Sequence, residues 1–202
     1  MRKVLPFLLV AAAAPALGAR ADEPKKADDG PVTAKLVAKT TTYKLDLGEM
    51  KADDFKKMLK DAEKGGKWPK PPDVDLSLEL TNTSDKEVMV WIAGDATRLD
   101  LDLKGPGAVS IAPNVPMTRE FRAPVATTLA PGKTASMDIK SLSFGVRNKS
   151  KFAYWAEPGE YTLGATFTTA VSPAPKDAKD VQDGFGKVVL TAEPIKLKVE
   201  AK

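Results

Sequence analysis

Residues 157–167 read EPGEYTLGATF. Pro158-Gly159 makes a tight turn, and Tyr161, Leu163, Ala165 and Phe167 then alternate with small or polar residues, the period of a strand with one buried face. A tyrosine at the head of such a strand can bury its ring and return its hydroxyl to a nearby backbone carbonyl, a corner that locks the crossing between two packed sheets. The stretch therefore marks a fold rather than an activity.

Working outward, the same alternation recurs on both sides. VDLSLEL (74–80) buries Val74, Leu76, Leu78 and Leu80; VMVWI (88–92) is apolar on both faces, which places Trp91 in the core; RLDLDL (98–103) sets leucines against Asp100 and Asp102. VSIAPNVPMTREFRAP (109–124) holds short edge strands, because its prolines remove ladder donors. ASMDI (135–139), GKVVL (186–190) and IKLKV (195–199) complete a set of short strands separated by Gly, Pro, Asn and Asp turns. The Lys-rich IKLKV reads as a protected edge and so favours a monomer.

One segment differs. In KADDFKKMLKDAEKGG (51–66), Phe55, Met58, Leu59 and Ala62 fall on one helical stripe, with Asp53 and Asp54 early and Gly65 after the last apolar residue. This predicts an amphipathic helix over about 51–64, packed on the sheets, followed by a proline linker, KWPKPP (67–72). The expected fold is all-β, an antiparallel immunoglobulin-like sandwich over residues 32–202 with that helix inserted near its start.

Together with the LAPGKT turn (129–134) and the strand-turn-strand LELTNTSDKEV (78–88), EPGEYTLGATF resembles the late strands of bacterial secreted immunoglobulin-like and fibronectin-III-like domains, over roughly Val74 to Val199. LELTNTSDKEV also looks like part of the intracellular proteinase-inhibitor type of sandwich. The first resemblance implies a binding module, the second an inhibitor.

The amino terminus predicts the compartment. Arg2 and Lys3, the apolar run Val4–Ala14 and the small-x-small Ala19-Arg20-Ala21 form a signal-peptide pattern, which predicts a periplasmic or secreted protein with cleavage after Ala21 and a charged, disordered lead-in over 22–31. The run is shorter than the roughly 20 residues a membrane span needs. The sequence lacks cysteine, so neither a lipid anchor of the lipoprotein kind nor a disulfide is predicted. Losing Arg2, Lys3 and Arg20 takes the 31 basic residues down to 28 against 27 acidic ones. A near-neutral chain gives no footprint for nucleic acid or an anionic membrane.

The absence of histidine and cysteine removes the Ser-His relay, thiol nucleophiles and His/Cys zinc sites. Asp100 and Asp102 form a carboxylate pair of the kind glycoside hydrolysis uses, but on the polar side of a strand they read as a solvated face. No catalytic residue and no obligatory cofactor is assigned. Calcium has one candidate, Asp177, Asp180 and Asp183 in PKDAKDVQDGFG (175–186), hard oxygen ligands within a long loop spanning 170–186, although their spacing departs from D-x-D-x-D-G. Trp68, Tyr154 and Trp155 are the candidate stacking surface for a protein partner or an envelope glycan. Asn82-Thr83-Ser84 and Asn148-Lys149-Ser150 match the glycosylation pattern and are assigned to turns. The function expected from these readings is an exported, non-catalytic interaction module; a carbohydrate- or calcium-dependent accessory domain and a proteinase-inhibitor-like protein are the alternatives.

Overall fold

The computed structural model of the chain describes residues 30–113, 120–146 and 149–202. The expected signal peptide (1–21), nearly all of the lead-in (22–31) and the start of the Asn148 triplet lie outside the described residues. The chain is mostly β, with two sheets and one helix among the described residues. In chain order the elements are β1 (Val32–Ala38), β2 (Thr42–Lys44), α1 (Ala52–Glu63), β3 (Asp73–Asn82), β4 (Val88–Ala93), β5 (Arg98–Lys104) and β6 (Ala108–Ile111). There follow β7 (Val125–Leu129), β8 (Thr134–Ser141), β9 (Ser143–Val146), β10 (Lys149–Trp155), β11 (Gly159–Ser172), β12 (Lys179–Gln182) and β13 (Phe185–Glu200).

The smaller sheet is β1-β3-β8, antiparallel throughout, with Leu36, Leu78 and Met137 in register across it. Because side chains alternate, Val74, Leu76, Leu78 and Leu80 of β3 all point one way and are buried. The larger sheet is organised on β11. One side of β11 pairs with β13; the other pairs with β5 over Thr162–Thr168 and with β4 at its far end, where Val171 meets Val90. From there the sheet divides, one branch ending in β7 beyond β4, the other running β5-β9-β10-β6. Leu36, Leu76, Leu78 and Ile139 of the smaller sheet share one apolar core with Val90, Leu163, Phe167 and Leu197 of the larger.

Tyr161 closes that core as its position predicts. Its ring is buried, and its hydroxyl lies against the backbone carbonyls of Pro106 and of Glu157, the latter at 2.6 Å. The β5–β6 turn must pass directly under this ring. A Cβ on Gly105 would stand 2.6 Å from Tyr161 Cδ1, at a φ of +151°, so only glycine fits there.

A second, smaller core lies outside the first. Phe55, Leu59 and Ala62 of α1 pack on Ile111 of β6 and on Phe152, Tyr154 and Ala156, with Trp68 and Val109 at its margin. Phe55 meets the Tyr154 ring edge-on, centroids 5.9 Å apart. Strand β10 is thus covered on both faces: Phe152 and Tyr154 look toward the helix, Ala153 and Trp155 toward the main core. Acidic residues at the first turn of α1 complement its dipole, and an ion pair from Lys56 to Glu157 ties the helix to the β10–β11 turn.

Three expectations about the late strands need correction. GKVVL and IKLKV are one 16-residue strand, β13. It passes Pro194 by a register shift: Leu163 faces Ile195 and Ala165 faces Ala192, so the residue without an amide falls in the irregularity. IKLKV is an edge only in part: Lys198 and Val199, with Glu200, pair in parallel with Thr42, Tyr43 and Lys44, whereas Ile195–Leu197 pair with β11 alone among the described residues. The 170–186 loop, finally, is mostly strand. β11 continues to Ser172, and β12 and β13 form a hairpin whose turn, Asp183-Gly184, adopts φ values of 50° and 79°, the left-handed pair that an Asp-Gly hairpin turn requires.

Candidate binding surface

The residues singled out in the sequence do not converge. Tyr154 is 1% exposed and Trp155 5% exposed, so neither can present a face to a partner. Both belong to β10, which the helix covers on one side and the sheets on the other. Trp155 stacks on Tyr43 at 5.2 Å, and the Tyr154 hydroxyl donates to the carbonyl of Pro69, 2.9 Å away, holding the proline linker down. Burial raises the Tyr154 phenol to about 12. Trp68 is half-buried against Phe152, centroids 6.1 Å apart, as part of the second core.

The calcium candidates are also dispersed. Asp183 forms the hairpin turn, Asp180 is exposed and 3.7 Å from Lys187 Nζ, and Asp177 is exposed in the turn before β12. Among the described residues no three Asp or Glu side chains approach closely enough to share an ion. Asp100 and Asp102 lie on a polar face beside Arg98 and Lys104, at 2.5 Å and 3.0 Å.

The aromatic surface lies instead at Trp91, which the sequence placed in the core. Val88 and Val90 of β4 are buried and Met89 is 40% exposed, so the outward set is Met89 and Trp91. Ile92 follows the same alternation back to the core, and the ladder with β7 is irregular between Trp91 and Ala93. Continuing the Val90–Val171 register puts Trp91 beside Ala170, whose small side chain leaves room for the indole to reach over β11. There it stacks on Phe185 of β13, centroids 5.0 Å apart and planes at 26°. The Trp91 carbonyl accepts the Thr169 hydroxyl at 2.6 Å, fixing the strand from the core side.

One wall of the site comes from the segment entering β7. Asp95 N donates to Arg122 O at 3.0 Å, and Arg122 N donates to Asp95 Oδ2 at 3.2 Å. Gly94 permits this contact: at φ +107° its missing Cβ would fall 2.6 Å from Ala123 O. The clamp holds Phe121 outward, 72% exposed. Trp91, Phe121, Pro124, Asp95, Gln182 and Asp183 thus surround a cleft of about 480 Å³. A planar ring, apolar walls, two carboxylates and an amide suit a ligand with one apolar face and several hydrogen-bonding groups. A larger hollow of about 610 Å³, between Pro31, the 83–88 turn and Pro173–Lys176, is lined by no aromatic residue.

The signal in the sequence that could have found this site is the alternation within VMVWI, which sets Val88, Val90 and Ile92 against Met89 and Trp91, together with the Asp183-Gly184 hairpin turn that puts Phe185 at the start of a strand. No protein-family model matches the chain, and no curated protein does either. No helix among the described residues is long and apolar enough to cross a membrane.

Proposed function

We propose that the protein is an exported, non-catalytic binding module of immunoglobulin-like build that engages a protein or a cell-envelope component through the Trp91 cleft. The observation that carries this reading is Trp91 itself: a large ring held on the outer face of a sheet, braced by Phe185, in a cleft rimmed by Phe121, Asp95, Gln182 and Asp183. Exposed aromatic anchors inside a polar rim are the usual energetic centres of recognition surfaces.

Strand order supports the immunoglobulin-like build. A three-stranded β1-β3-β8 sheet faces β7-β4-β11-β13, which is the order A-B-E against C′-C-F-G of that fold, with β5–β6 and β9–β10 as additions. The tyrosine corner at Tyr161 falls at the start of the F-like strand, where the fold places it. The Arg2-Lys3, Val4–Ala14 and Ala19-Arg20-Ala21 pattern supports export and cleavage after Ala21.

A glycan is the second reading, favoured by the flat Trp91 ring flanked by carboxylate and amide acceptors. One experiment separates the two. The secreted protein and its Trp91→Ala variant are immobilised in parallel and exposed to an envelope fraction, and to the same fraction after protease digestion. Capture lost in the variant and after digestion supports a protein partner; capture lost in the variant alone supports a glycan. Capture equal in both proteins removes the cleft from the function.

A further inference from the structure

The free edge of β7 is the next feature with a definite chemistry. Among the described residues β7 pairs with β4 alone, so its far side carries unpaired amides and carbonyls. Natural edges are usually protected by charge, proline or cover. The other edges follow that rule: β1 carries Lys35, β2 carries Lys44, β8 carries Asp138 and Lys140, β12 carries Asp180, the stretch of β13 between its β12 and β2 pairings carries Glu193, Pro194 and Lys196, and β6 lies beneath α1. The sequence of β7, Val-Ala-Thr-Thr-Leu, has no charge and no proline, and Val125, Ala126 and Thr128 are exposed. It also ends in a built stop. The side-chain amide of the buried Asn82 donates to Leu129 O at 2.8 Å and to Lys86 O at 2.7 Å, closing the strand's last carbonyl to any newcomer.

We infer that β7 accepts an extended segment of a partner polypeptide as an added strand. This rests on the binding-module reading and names the partner's chemistry. A row of unpaired main-chain groups is complementary to another extended backbone and to little else, and a strand added about 4.8 Å beyond β7 continues the sheet. Register also sets the side-chain preference. Ala126 and Thr128 stand beside Trp91 and Met89 on the outer face, so every second residue of the newcomer lies on the face that carries Met89, Trp91 and Phe121. The occupant is therefore an extended segment with apolar residues at alternate positions, long enough to match the five residues of β7.

The test uses a displayed library of linear peptides alternating apolar and polar positions. Selected peptides are resynthesised with single N-methyl groups at each successive amide. Strand addition predicts that methylation weakens binding about tenfold at every second position and little between. It also predicts that bound peptide slows amide exchange at Val125–Thr128, and that Ala126→Lys or Thr128→Lys, both exposed, weaken binding while the melting temperature holds. Peptides whose binding is lost in Trp91→Ala, but shows neither alternation nor β7 protection, would overturn the strand addition and leave the binding module standing. Failure to select any binder would overturn it as well. Protection of β7 that rises with protein concentration alone would assign the edge to a second copy and likewise overturn it.

Discussion

The indole of Trp91 lies against Phe185, two strands away, with centroids 5.0 Å apart. The contact bridges β4 and β13 over Ala170 and leaves Trp91 half-buried beside the cleft. On the binding role proposed for the cleft, Trp91→Ala is expected to weaken partner binding by about 2 kcal/mol or more while the protein still folds. Titration of captured partner against both proteins, with circular dichroism as the folding control, checks this.

Tyr161 gives a stability prediction. Its hydroxyl is the donor to a pair of backbone carbonyls under a buried ring, so Tyr161→Phe removes no packing and leaves the carbonyls short of a partner. A loss of about 1–3 kcal/mol is expected from urea unfolding. A loss below a few tenths would mean that water replaces the hydroxyl at no cost.

Leu59 separates the two cores. It is 0% exposed and belongs to the helix-covered cluster rather than to the main core. Leu59→Ala should destabilise by about 2–5 kcal/mol. Amide exchange should rise first in α1 and β6, with β3 and β11 less affected.

The termini and Tyr154 respond to pH in opposite directions. Hydrogen bonds and charge from Lys44 and Lys198 lower the Glu200 carboxyl to about 2. A depressed acid stabilises the fold fully above its ordinary value of about 4.5, and that contribution disappears as pH falls toward 2. Tyr154 is raised to about 12 by burial, so its contribution is complete below pH 10 and is lost as pH climbs through 12. Melting curves should therefore show an acid limb that Glu200→Gln flattens and an alkaline limb that Tyr154→Phe flattens.

Calcium offers the simplest check. Asp177, Asp180 and Asp183 do not converge, so added calcium or EDTA is expected to leave the melting temperature of the protein unchanged. A rise of several degrees with calcium would show that these side chains regroup around the ion.

Much of the β pattern was legible because alternation depends on local chemistry alone. Leu76, Leu78 and Leu80 are buried as their spacing requires, and the helix runs over Ala52–Glu63 as its stripe and its acidic start imply. The errors arose where a distant segment decides. Phe152-Ala153-Tyr154-Trp155 looks like a surface run until the helix is laid over it. Trp91 is the exception, because the alternation of Val88, Val90 and Ile92 against Met89 and Trp91 is itself local and already turns the indole outward. The end of IKLKV shows the same dependence on a distant segment: nothing in its own residues reveals that Thr42–Lys44 will pair with Lys198 and Val199.

The second core has a further consequence for how the chain is made. Its helix leaves the ribosome long before β6, and β10 comes later still, yet the buried residues that cover Phe55 and Leu59 from outside the helix, Ile111, Phe152, Tyr154 and Ala156, arrive only then. An amphipathic stripe left waiting in this way is a natural binding segment for chaperones that hold newly made chains. Co-translational capture should therefore begin as residues 52–63 emerge and end only when the strand that ends at Trp155 has been synthesised.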